Sequence, residues 1–224
     1  MFEIRRLGPE DLGLILEMQQ RIYSSLQDKS VFQRSTSEFI TYCLGDGGRC
    51  YSVQHRGDTI VYRIVYFPRD RAFNLAKDIP LPPDEQARVA HWDTIAVLPK
   101  WRGFGLSRLM NTHALSDLAN TEIRHLFATS SPQNPYGIRS LIETGFRPIR
   151  LILKFGGKLR LLFYRPYPAD WCLANAHMTE KEVPLSATAD LEAAFQNGWI
   201  GTGIKIDKAA PRLRMQHHPI LFDY

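Results

Sequence analysis

The chain has 224 residues, 44% of them hydrophobic and 23% charged, which is enough apolar surface for a sizeable core and argues against a disordered polymer. Its formal charge of +5 and pI of about 9.2 suit an anionic ligand without naming one. The start, MFEIRRLGPEDLG, has an acid at position 3 and no apolar signal region, and no later run is long and apolar enough to span a bilayer. A cytoplasmic protein with no membrane partner is expected.

In chain order, FEIRRL reads as a first strand. Pro9 then opens a helix in which Leu12, Ile15, Leu16, Tyr23 and Leu26 recur at helical spacing. TSEFITYCL reads as a second helix capped by Thr36 or Ser37. Two antiparallel strands follow around Arg56, Gly57 and Asp58. Residues 68–87 contain four prolines and no sustained period, so they read as a long loop of the kind that often carries function. RVAHWDTIAVLP alternates two distinct faces as a strand, with His91 and Asp93 on the same one.

A turn, Arg102-Gly103-Phe104-Gly105-Leu106-Ser107, leads into a helix expected to reach about Asn120. Leu106, Leu109, Met110, His113, Ala114 and Leu118 form its apolar side, on which His113 reads as a hydrogen-bonded core histidine. Two residues without a Cβ at a helix N-terminus expose N–H groups that have no intrahelical partner, at the positive end of the helix dipole, and so can receive an anion. IRHLFAT reads as a strand and NPYGIRSLIETGF as a short helix ending at Gly145. Residues 146–154 and 158–165 then form a hairpin about Gly156 and Gly157, and the core is expected to close near Tyr167. That hairpin carries Arg147, Arg150, Lys154, Lys158, Arg160 and Arg165 with no acid among them, which suits either a solvated edge or a groove for phosphates or an acidic substrate.

Together these segments resemble the GNAT superfamily of acyl-CoA-dependent N-acyltransferases over residues 1–167. The signature is Arg102-Gly-Phe-Gly105-Leu-Ser107, preceded by Val97-Leu-Pro99, with Ser107 departing from the Gly or Ala usual at the last position. A second element is Asn134, eleven residues before the pair Gly145-Phe146. The resemblance implies an α/β (α+β) fold, a mixed central sheet of about seven strands flanked by helices, with residues 168–224 as a C-terminal extension. It implies acetyl-CoA or another acyl-CoA as co-substrate, its pyrophosphate received by backbone from Gly103 to Ser107 and walled by Arg102. Ile95, Ala96 and Val97 would bond the pantetheine arm like an added strand, with Asn134 beside it.

The implied reaction is direct attack of an amine on the thioester, which needs a proton acceptor. Asp93 and His91 occupy the stretch where family members often carry one. Relatives often place a Tyr seven residues after the Asn to protonate the leaving thiolate; this chain has Leu141 there, with Tyr136 nearby in another register. The acceptor is a small-molecule or peptide amine shaped by residues 24–36, 68–88 and 150–164. Two other readings stand beside this one: a catalytically inactive acyl-CoA-binding regulatory module, and an aminoacyl transferase using charged tRNA, although nucleic acid is not the expected partner.

No metal is expected. Cys43, Cys50 and Cys172 lack zinc spacing, and His217 and His218 would point apart in a strand. The tail holds a helix pattern, SATADLEAAFQNGW, and a strand, WIGTGIKI, and ends in the apolar HHPILFDY. It is expected to pack on the core, cover part of the acceptor cleft or mediate a homodimer.

Overall fold

Two sheets organise the chain, for which the computed structural model describes residues 2–169, 171, 179–207 and 210–218. The larger sheet runs β1-β2-β3-β4-β5-β7-β6. Its strands are β1 (Glu3–Leu7), β2 (Gly48–His55), β3 (Asp58–Tyr66), β4 (Val89–Val97), β5 (His125–Ser130), β6 (Arg147–Lys154) and β7 (Lys158–Pro166). Only the β4–β5 pair is parallel, so the sheet is mixed, as expected.

Helices cover both faces. Tyr66 meets Phe39 and Tyr42 of α2 (Ser37–Leu44), which packs beside α1 (Leu12–Ser25). Tyr51 is paired with Arg63, three residues before Tyr66 and therefore on the other face. It meets His113 of α3 (Leu106–Leu118), and α4 (Pro135–Glu143) bonds to α3 on that same side. Thr36 is the cap of α2, its hydroxyl accepting the Phe39 N–H at 3.2 Å, an interaction worth about 1 kcal/mol.

Three expectations need correction. The buried stripe of α3 is Leu106, Met110, Asn111, Ala114 and Leu118. His113 lies on its flank, exposed and edge-on to Tyr51, so it is not a core histidine, and Leu109 is 40% exposed. Residues 68–87 are also more than a loop. They hold single turns of 3-10 helix at Leu75–Asp78 and from Glu85 onward, and they bury Leu75, Ala76, Ile79 and Leu81 against Phe127, Ile149, Leu162 and Tyr164. This segment supplies a second core. Asn74 organises it, accepting the Ala76 N–H and donating to the carbonyls of Arg69 and Gln86.

The third correction concerns the basic hairpin, which is more than a solvated edge. Arg160 donates to the Ser30 carbonyl at 3.0 Å and Lys158 to Gln33 at 3.0 Å. Lys154 pairs with Asp78 at 2.8 Å, and Arg150 donates to the Asp78 carbonyl. The β6–β7 hairpin thus ties down the segment before α2 and the segment before β4.

The extension contributes β8 (Glu180–Pro184), α5 (Thr188–Gln196), β9 (Trp199–Lys205) and β10 (Arg212–His217), with sheet order β8-β10-β9. Val183, Leu185, Leu191, Leu213 and Met215 belong to the main core, and Ile200 to the second one. β9 lies so close to β6 that a Cβ on Gly201 would collide with the Pro148 ring. Cys43 and Cys50 are buried, which pushes both thiols up, Cys50 to about 12. Cys172 and residues 219–224 lie outside the described residues.

Candidate functional site

The central feature is a divergence in the sheet. β4 pairs with β5 only through Val89↔His125, Ala90↔Leu126 and His91↔Phe127. Beyond these, β4 stays with β3 as far as Val61↔Val97, and β5 stays with β7 as far as Ser130↔Leu161. The two strands therefore open into a V, leaving the β5-facing edge of residues 92–97 without a strand partner. Ile95, Ala96 and Val97 line that edge. A one-residue shift of register between Arg63 and Val65 puts Asp93 and Thr94 together opposite Ile64, a bulge just beyond the closed end of the V.

Because β4 and β5 are parallel, the helices that follow them begin at the same, open end. α3 starts after Gly105 and α4 after Asn134, so two positive helix ends face one cleft. Gly103 and Gly105 have φ of 85° and 72°, a region that costs L residues roughly 1–2 kcal/mol. A Cβ built on either would meet nothing within 4 Å, so the space above the turn is free. Among the described residues, the N–H groups of Gly103, Phe104 and Gly105 have no acceptor. Leu106 is buried and anchors the helix, with Ser107 following in its first turn. Phe104 is exposed beside Trp101, and Arg102 donates through Nε to the Val97 carbonyl at 3.3 Å. The turn can hold an anion on its backbone.

Asn134 caps α4, its Oδ1 accepting the Gly137 N–H at 3.0 Å. Tyr136, in the first turn, is 71% exposed, whereas Leu141 is partly buried against the core.

His91 and Asp93 lie on the sheet face covered by α1, α2 and the 68–88 segment, but in different circumstances. His91 is buried between the rings of Tyr66 and Phe73, and its Nε2 accepts the Leu75 N–H at 3.0 Å. Burial, with a smaller contribution from Lys154, lowers it to about 3. The ring is a neutral acceptor that holds the second core's segment to β4. Asp93 keeps part of its surface accessible and accepts the Thr94 hydroxyl at 2.9 Å. Burial raises its carboxyl to about 6, against the pull of Thr94 and of the Arg63 cation. Arg63 is itself buried and lies 3.9 Å over the Trp92 ring. Sequence reasoning missed it, although a lone charge inside DTIVYRIVY is a visible signal.

The fold has counterparts among solved structures. Arabidopsis thaliana NAA60 in complex with acetyl-CoA superimposes with a TM-score of 0.60 at 15% identity, covering 75% of this chain and 100% of that one. An acetyltransferase of the GNAT family from Streptococcus pneumoniae gives 0.52 at 17%, covering 74% and 99%. This chain has the GNAT fold. Aminoglycoside acetyltransferase AAC(6')-Ib, solved with coenzyme A and kanamycin, shares it at a TM-score of 0.55 and 16% identity, covering 75% of this chain and 95% of that one. No family model matches the sequence, and no curated protein matches it. Among the described residues no helix is long and apolar enough to cross a membrane, and no group of three His, Cys, Asp or Glu is placed to hold a metal ion.

Proposed function

We propose that the chain is an N-acyltransferase that moves an acyl group, acetyl by default, from coenzyme A to a primary amine of a small molecule or peptide. The observation that carries this reading is the V between β4 and β5 with a glycine turn and two helix N-termini at its open end. An extended pantetheine fits beside residues 95–97 as a strand would, and the pyrophosphate fits the backbone of 103–107.

In this mechanism Asp93 accepts the proton of the ammonium group, directly or through one water. A carboxyl raised to about 6 is mostly ionised at pH 7 and still basic enough to compete for that proton. The amine nitrogen then attacks the thioester carbon, and an N–H of β4 steadies the developing oxyanion. The carbon–sulfur bond breaks, the nitrogen loses its second proton to solvent, and the thiolate leaves with a proton drawn from water. His91 positions the floor of the acceptor side. Tyr136 stands exposed in the first turn of α4 and is the remaining side-chain candidate for the thiolate's proton, since Leu141 carries none.

The transfer-RNA reading is the weaker of the two: Lys154, Lys158 and Arg160 of the hairpin each hold a partner within the chain, whereas the N–H groups of the glycine turn hold none among the described residues. The test is titration with acetyl-CoA followed by thiol release in the presence of amines. Binding with turnover on an amine supports the proposal. Binding without release on any of a broad panel of amines favours the inactive module, and no binding by folded protein overturns both.

A further inference from the structure

A buried polar bridge sits where β4 leaves β5. Trp92 is the first β4 residue beyond the last paired one, and its indole N–H donates to Asn111 Oδ1 at 3.3 Å. Asn111, in the buried stripe of α3, donates through Nδ2 to Thr144 Oγ1 at 2.6 Å. Thr144 is the residue that ends α4, and its hydroxyl donates to the Ser140 carbonyl at 2.6 Å. Trp92 and Asn111 are 2% and 3% exposed. One side chain thus fastens three elements that bound the cleft: the diverging strand, the helix carrying the glycine turn and the helix capped by Asn134.

We propose that Asn111 is a positioning residue that sets the opening of the β4–β5 cleft for the pantetheine arm of the cofactor. α3 and α4 begin at the open end, where β4 and β5 part, and run back toward the closed end. Asn111 pins them to each other and to Trp92 near that closed end. An amide suits the place because it accepts from the indole and donates to the hydroxyl at once, which no apolar side chain of similar size can do. Nothing is asked of Asn111 at the phosphate turn, which holds its shape through Leu106 and the backbone. The separation predicts that loss of the bridge affects ligands that must enter the V and spares ligands that reach only the turn.

This inference rests on the coenzyme A reading, and the experiment separates the two. Acetyl-CoA and 3′-phospho-ADP, the nucleotide half of the cofactor, are titrated into wild-type protein and into Asn111→Leu, which removes the middle of the bridge, and Thr144→Val, which removes its α4 end. Thermal unfolding confirms that each variant is folded. Weakening of acetyl-CoA by about tenfold in both variants is expected, the order seen when a remote packing contact positions a site, with the nucleotide affinity unchanged. Equal weakening of both ligands, or of neither, overturns the positioning role while leaving the cofactor reading intact. Failure of the wild-type protein to bind acetyl-CoA overturns the cofactor reading and this inference with it.

Discussion

His91 Nε2 accepts the Leu75 N–H at 3.0 Å inside the fold, while Asp93, two residues along the same strand, has among the described residues a hydrogen bond only to its neighbour Thr94. One polar side chain of β4 is committed to structure, and the other is the proton acceptor proposed above. The two also respond to pH in opposite directions.

Asp93→Asn is expected to lower turnover by about 10²–10⁴-fold while leaving acetyl-CoA affinity unchanged. The acid limb of the wild-type pH–rate profile, centred at about 6, should vanish with it. The same substitution should stabilise the fold above that pH. Between about 3.8 and 6 the folded protein keeps a proton that the unfolded chain has lost, so the contribution of Asp93 to stability falls as pH rises, and its full cost is present above 6. Denaturant titration at pH 8 should show a gain on the order of 2 kcal/mol, with little change at pH 3.5.

His91→Leu should have the reverse signature. Between about pH 6.5 and 3 the unfolded chain binds a proton that the buried ring refuses, so wild-type stability falls as the solution is acidified through that window. The variant should lose this slope. At pH 7.5 it should be less stable by about 1–3 kcal/mol, because the Leu75 N–H loses its buried acceptor. Its acetyl-CoA affinity should be retained. A pH–rate profile whose acid limb disappears in His91→Leu but persists in Asp93→Asn would exchange the roles given to the two residues.

Arg160→Met should loosen the segment before α2, because the Ser30 carbonyl loses its donor. Amide hydrogen exchange of residues 28–33 is expected to accelerate, with β7 itself remaining protected. Unchanged exchange there would show that the hairpin does not hold this wall of the acceptor side.

Truncation after Pro168 should destabilise the protein rather than trim it. Leu213, Met215 and Leu191 are fully buried in the main core, and removing the extension exposes the β6 and α4 surface that β9 and α5 cover. A soluble fragment with the midpoint of the full chain would show the extension to be dispensable.

What was legible in the sequence is what local chemistry dictates. The glycine turn, the capped helices and the alternation of β4 follow from neighbouring residues, and the resemblance to GNAT enzymes rested on them. The 68–87 segment reads as a loop because its prolines break any period, yet Leu75, Ile79 and Leu81 are buried without needing one. The hairpin clamp was illegible for another reason. Arg160 and Ser30 are 130 residues apart, and nothing near either one names its partner. His113 was misplaced by the ambiguity of a helix flank, where a shift of one residue separates core from surface. Asn111 went unnoticed because a polar residue in an apolar stripe has meaning only once Trp92 and Thr144 are seen to meet it.

The proposed function requires the turn at residues 103–107 to receive the cofactor. Calorimetric titration of acetyl-CoA into wild-type protein and Gly105→Glu tests it most directly, since the space above Gly105 is empty and the new side chain adds bulk and negative charge there. Binding by the wild type that the variant lacks, with the variant still folded by circular dichroism, is the predicted result. Equal binding by both proteins would remove the turn from the site and contradict the account.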